Sequence, residues 1–347
     1  ARTRSVSYPS LTQRFHFKGE TMKIRSNLKN MQTELCPSGT LTIEGSMPTR
    51  YIFLQGPNGS GKSAIAHSIE YALTGLVVDA AGRDIKSKTH VNTLANGAEA
   101  SVQVEFDGVT HTGSKPRYEN VIADAMAAIT GSGTALVQYM LEHGKCFDHL
   151  DTGVSLDYPS WDKWVAAEGS VRRALLRIQK AAGASLRRAR ANIRDAKTVL
   201  KYGEVPGIKE MLADALKAEA EAKALKKECD TAAVEWLKKA TSQADLESDA
   251  APVLKFYFIG NEVRLGLAGK GPVPSGAEMV ECAIWLARMT RNTPNSVYIL
   301  PDRAYDPDRL AHLLRVLRMT PAALVVAQSP IRPSEYDVEK FWHVLNV

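Results

Sequence analysis

Eight consecutive residues, Gly56-Pro57-Asn58-Gly59-Ser60-Gly61-Lys62-Ser63, carry the clearest chemistry in the chain and match GxxxxGK[ST] in full. Glycines let backbone N–H groups turn inward around phosphate oxygens. A helix beginning at the end of such a loop aims its positive terminus at the same anion. In that arrangement Asn58, Gly59, Ser60 and Gly61 wrap the phosphates. Lys62 reaches the β- and γ-phosphates, and the Ser63 hydroxyl ligates Mg²⁺. The bland alternative is a glycine turn of the same spelling, so the flanking elements have to decide.

Those elements are of the required kinds. Tyr51–Gln55 is a short apolar run that reads as a buried strand, and 64–73 reads as the helix, with Gly75 as its stop. Residues 100–106 alternate with period two and end at Asp107-Gly108, a hairpin signal. Strand-like sequence starts at Met22, resumes over 253–259, and recurs at 296–300 and 323–328. The run 323–328 reads as the last core strand, and 279–289 reads as a helix between strands. The expected class is α/β, a P-loop NTPase with a mixed sheet and flanking helices.

Residues 168–246 obey a different rule. Val171, Leu175, Ile178, Ala182, Ser185, Ala189, Ile193, Ala196 and Leu200 are spaced three and four apart, a heptad seam. Residues 202–207 break it, and a second seam runs from Met211 through Ala215, Ala222 and Cys229 to Trp236. Two helices of about 35 residues, each about 50 Å by helical rise, joined by a short link, predict an antiparallel hairpin. The expected organisation is an arm over 1–21, a first head lobe over 22–165, a hairpin insertion over 166–246 with a polar return at 242–252, and a second lobe over 251–347.

Composition narrows the classes. The chain has 347 residues, 44% of them hydrophobic, and no apolar run long enough for a membrane helix. The N-terminal stretch has no secretory character. Four scattered cysteines without a CxxC pair argue against a disulfide framework or a zinc site and fit a cytoplasmic location. No HxH or clustered Asp/His set suggests a nuclease centre.

The P-loop with the "IEYALTG" that follows it, and the stretch "VNTLANGAEASVQVEF" from Val91 to Phe106, resemble the first lobe of the SMC, RecN, RecF and SbcC ATPases. The resemblance spans about 22–115 and 253–330. It implies an ABC-type ATPase head interrupted by a coiled coil, ATP with Mg²⁺ as the ligand, and a homodimer that sandwiches two ATP molecules. In that family a signature motif follows the coiled coil, and Ser275 and Gly276 match it here, with Pro274 and Ala277 departing from the family's Leu and Gly. Ser275 and Glu278 also spell an ordinary capping box. The family's Walker B strand ends in Asp-Glu. Here 296–300 is followed by Pro301-Asp302-Arg303, so either Asp302 is the metal aspartate and Arg303 replaces the glutamate, or Asp302 stands in for the glutamate. Gln328 falls where the family places a switch histidine, Gln138 is a candidate for the metal-contacting Q-loop glutamine, and Asp306 for the D-loop aspartate. Because an amide carries no charge and only one acid stands at the strand end, the resemblance implies nucleotide binding with slow hydrolysis.

The first hairpin helix holds ten cations against Glu168 and Asp195, a net of +8 in a chain of net +6. Arg172, Arg173, Arg177, Arg187, Arg188, Arg190 and Arg194 are the expected contacts for the phosphate backbone of double-stranded DNA. A solvated coiled-coil face, or contact with an acidic protein, explains the same run. Two functions follow. One is an ATP-dependent DNA-binding ATPase in repair, recombination or genome maintenance, with a nuclease or other protein as partner. The other is a non-hydrolysing, nucleotide-gated clamp or scaffold whose hairpin binds protein. A P-loop kinase leaves the hairpin unexplained.

Overall fold

The computed structural model describes residues 21–31, 38–43, 50–78, 84–85, 92–97, 99–203, 205–247, 253–260, 262–291, 293, 295–303, 305–320 and 322–347. Of the expected arm over 1–21, residues 1–20 lie outside them. Among the described residues, the sheet that carries the phosphate loop has five strands, all parallel. Its members are β3 (Tyr51–Gln55), β8 (Glu119–Asn120), β11 (Ser296–Ile299), β12 (Leu324–Ser329) and β13 (His343–Asn346), in the order β13-β3-β12-β11-β8. The run 323–328 is therefore the sheet's centre, and β13 adds an edge beyond it.

Alternation along these strands divides the core in two, because successive side chains leave a strand on opposite faces. Ile52, Leu54, Val297, Ile299, Leu324 and Val326 point to one side. There they meet α1 (Lys62–Thr74) and an antiparallel sheet of β1 (Met22–Ser26), β2 (Thr40–Ile43), β6 (Val102–Phe106) and β7 (Val109–His111), ordered β2-β1-β6-β7. Phe53, Tyr298, Leu300, Val325 and Ala327 point to the other side. Burial on both faces is what a parallel sheet requires. Asp107 and Gly108 both take positive φ (53° and 67°), the type I′ geometry that joins β6 to β7. A two-stranded ribbon, β4 (Val77–Val78) with β5 (Asp84–Ile85), follows α1.

The second core layer is largely helical. It holds α2 (Val121–Thr130), α3 (Ala135–His143), α4 (Trp161–Glu168) and α7 (Gly276–Thr290), with the ribbon β9 (Leu254–Ile259) and β10 (Glu262–Leu267). α8 (Pro307–Arg318) covers it between β11 and β12. The hairpin is α5 (Val171–Lys201, 31 residues) and α6 (Ile208–Glu247, 40 residues), unequal where equal lengths were expected. The helix also runs through 242–247, read from sequence as a polar return, because Ala240 and Ala244 continue the packed stripe.

The seam follows the heptad in part. Ile208, Ala215, Ala222, Cys229 and Trp236, seven apart, are all buried, whereas Met211 is exposed. On α5 the expected seam position Ser185 faces solvent. At the root, Leu175, Ile178, Trp236, Leu237 and Ala240 belong to the same core as Tyr298 and Ala283, so the hairpin grows out of the helical layer.

Candidate functional site

β3 delivers Gly56, and the loop then turns twice through left-handed glycines, Gly59 at φ 87° and Gly61 at φ 103°. Gly61 caps α1, whose first residues are Lys62 and Ser63. Any side chain at these two positions is strained; of the two, the pattern fixes glycine at Gly61, and it also fixes Gly56, where a Cβ would collide with the Val347 carbonyl oxygen. Lys62 is 2% exposed. Its Nζ donates to the carbonyls of Gly56 (2.8 Å) and Pro57 (2.9 Å) and lies 4.0 Å from Asp302 Oδ2. Ser63 Oγ donates to Asp302 Oδ2 at 3.2 Å. Asp302 thus meets the loop from the end of β11, and Pro301 sits outside that contact.

These side chains line a cleft of about 310 Å³. Three further groups in it were not read from the sequence. Lys29 and Asn30 come from the turn after β1, with Asn30 at φ 63°, and Lys29 Nζ is bonded to the Thr93 carbonyl. His67 stands one helical turn past Ser63, and spacing along α1 was the available signal for it. Burial lowers the His67 pKa, an effect partly opposed by the Asp302 carboxylate.

The residues suit a triphosphate with a hard divalent cation. Ser60 Oγ is buried in the loop with no hydrogen-bond partner among the described residues, as are Gln55 Oε1 and Gln328 Oε1 at the ends of β3 and β12. Such orphaned atoms are costly unless a ligand or water meets them. A hydroxyl and a carboxylate are the oxygen donors that Mg²⁺ prefers, with phosphates completing its shell. Ser63 and Asp302 are the residues that would hold it.

The model of an AAA-domain family, AAA_23, matches residues 50–243, more than half of the chain. The chain belongs to the AAA_23 family, the SMC-type ATPases. No curated protein matches it. Among solved structures, it is similar at 13% identity to the Smc head domain with an extended coiled coil bound to the C-terminal domain of ScpA, derived from Pyrococcus furiosus. That likeness covers 89% of each chain at a TM-score of 0.33.

The other residues singled out in this AAA_23 chain fall in several places. Ser275 forms a full capping box with Glu278 at the start of α7, the Ser275 N–H donating to Glu278 at 2.9 Å. Arg303 Nη1 donates to the Gly276 carbonyl at 3.2 Å, so the residue after Asp302 is a cation turned toward α7. Gln328 is 3% exposed and its Nε2 donates to the Leu300 carbonyl at 3.0 Å, which ties β12 to the segment leading to Asp302. Asp306 caps α8 by accepting from the Arg309 N–H at 2.8 Å. Gln138 is not among the residues of the phosphate cleft. It sits on α3, bonded to Glu142, and lines a separate groove with Gln179 and Asp230 at the hairpin root.

The arginine row divides, and part of the sequence expectation is corrected. Arg172 is 3% exposed. Its Nε and Nη2 grip both oxygens of Asp148 at 2.7 and 2.9 Å, and its Nη1 bonds the Leu141 carbonyl, so it is structural and closed to DNA. Arg173 shares Asp148 at 3.1 Å, Arg177 pairs with Glu168 over the Trp164 ring, and Arg190 pairs with Glu219 at 3.1 Å. Arg194 lies 3.9 Å from Asp195. Arg187 and Arg188 carry no ion pair among the described residues.

Proposed function

We propose that this SMC-type chain binds ATP with Mg²⁺ at the Gly56–Ser63 loop, hydrolyses it slowly, dimerises around it, and engages duplex DNA along the outer part of α5. The observation that carries the reading is the meeting of Asp302 with Ser63 and Lys62 at the mouth of a glycine-turned loop. Bound there, magnesium would neutralise phosphate charge. Lys62 would exchange its two loop carbonyls for phosphate oxygens, and the loop N–H groups would hold the rest of the chain of phosphates.

Slow turnover follows from what stands beside Asp302. Arg303 offers no carboxylate to activate water, and Gln328 has its amide committed to Leu300. A missing general base typically costs about 10²–10⁴ in rate. The head-to-head dimer rests on the match of Ser275-Gly276 to the family's signature motif, and a role in genome maintenance on the family resemblance together with the basic α5. The test is calorimetry with ATP·Mg²⁺, together with a steady-state ATPase assay. Binding abolished by Lys62→Ala with little turnover supports the proposal; no binding, or brisk hydrolysis, defeats it.

A second reading has its own support. Val199, Tyr202, Val205 and Met211 are exposed apolar residues around the hairpin tip. They favour a protein-binding clamp in which α5 recognises an acidic partner. Gel filtration with and without nucleotide, followed by DNA binding over a salt series, separates the two.

A further inference from the structure

His67 lines the same cleft as Ser63 and Asp302, and among the described residues its ring makes no hydrogen bond. It lies four residues past Ser63 on α1, so the two side chains share a helix face. Both line the cleft that Asp302 closes, and Asp302 Oδ2 is 3.2 Å from Ser63 Oγ. Among the described residues neither His67 nitrogen has a hydrogen-bond partner. The cleft thus adds one nitrogen donor to a hydroxyl and a carboxylate. No group of three or more His, Cys, Asp or Glu that could hold a metal occurs among the described residues, so the protein alone does not make a complete site. Nucleotide phosphates would have to supply the remaining ligands, as they do for most phosphate-bound cations.

We propose that His67 donates a ring nitrogen to the divalent cation carried by the bound nucleotide, and so turns the site's preference from Mg²⁺ toward first-row transition ions. This rests on the nucleotide reading above. Mg²⁺ is served by oxygen and gives up its waters reluctantly, whereas imidazole suits the transition ions. With only Ser63 and Asp302 the site has no reason to choose against magnesium; the nitrogen supplies one. The rival role for His67 is to hydrogen-bond Asp302 and orient it, with no bond to the metal.

The test uses the full chain with ATP and Mn²⁺, read by pulsed electron paramagnetic resonance. Ligation gives a nitrogen coupling on manganese that changes when the protein is labelled with ¹⁵N-histidine. In His67→Gln that coupling disappears. The Mn²⁺-over-Mg²⁺ preference of the nucleotide complex then falls about tenfold, the low end for losing a group that supports a metal site. Manganese bound with ATP but indifferent to the histidine label overturns the proposal, as does a coupling that survives in His67→Gln. The label exchange is decisive in the wild-type protein even if the variant does not fold. Failure of ATP to bind with either metal is a different result: it removes the nucleotide reading and this inference with it.

Discussion

Arg172 offers the sharpest contrast between charge counted along a sequence and charge placed in a structure. Counted, it belongs to a DNA track; placed, it clamps Asp148 and the Leu141 carbonyl beneath the root of the hairpin. Replacing it by Met keeps the apolar stem and removes the guanidinium. Breaking a buried ion pair typically costs about 3–5 kcal/mol, because the other charge stays behind. Here Asp148 keeps Ser170 at 3.0 Å and Arg173 at 3.1 Å, and its side chain is 16% exposed. The expected loss is therefore at the low end, about 3 kcal/mol. Urea unfolding with an unchanged m-value measures it. The salt dependence of DNA affinity, measured on the folded variant, should not move. A loss under about 1 kcal/mol, the scale of an exposed pair, would refute the placement. So would a salt slope reduced by about one, the signature of a lost phosphate contact.

The double variant Arg187→Ala/Arg188→Ala should leave stability within about 0.5 kcal/mol and reduce the slope of log K against log salt by about two. Equal affinity and slope would remove DNA from the account of α5. Gly61→Ala forces a side chain into φ 103°. Strain of about 1–3 kcal/mol should lower ATP affinity about 5- to 150-fold, read by calorimetry. Trp236→Ala, with Trp236 1% exposed at the hairpin root, should cost about 3–5 kcal/mol in denaturant. Burial pushes the Asp148 carboxyl up, but the Arg172 hydrogen bonds and charge, with Ser170 and Arg173, outweigh it and hold its pKa below the usual value. A depressed carboxyl stabilises above its unfolded pKa of about 3.9 and loses that contribution as pH falls through the lower folded value. Acid titration of stability below about pH 4 should thus be steeper in wild type than in Arg172→Met.

The phosphate loop was legible because a backbone that must turn through φ 87° and φ 103° admits almost only glycine, and a lysine followed by a hydroxyl residue completes the pattern. The hairpin was legible because its period persists for many turns. α2 was not, since VIADAMAAIT is apolar or small on nearly every side and shows no stripe. β8 and β13 are two and four residues long, too short to carry a pattern, and only the neighbouring strands define them. That Asp302 reaches Ser63 needed the approach of the β11 end to α1, which the sequence does not carry. Arg172 and Arg187 look alike in sequence; what separates them is Asp148, more than twenty residues upstream.

The hairpin root shares one packed core with the parallel sheet, since Trp236, Leu237 and Ala240 sit in the same cluster as Tyr298 and Ala327. A 40-residue helix is about 60 Å long, so the arrangement is a lever with its fulcrum inside the ATPase. With about 45 Å of helix between that root and the tip at Ile208, a turn of about 10° sweeps the tip through about 8 Å. A small shift of α3, which packs on both hairpin helices, would thereby be geared up into a displacement of several ångströms at the tip.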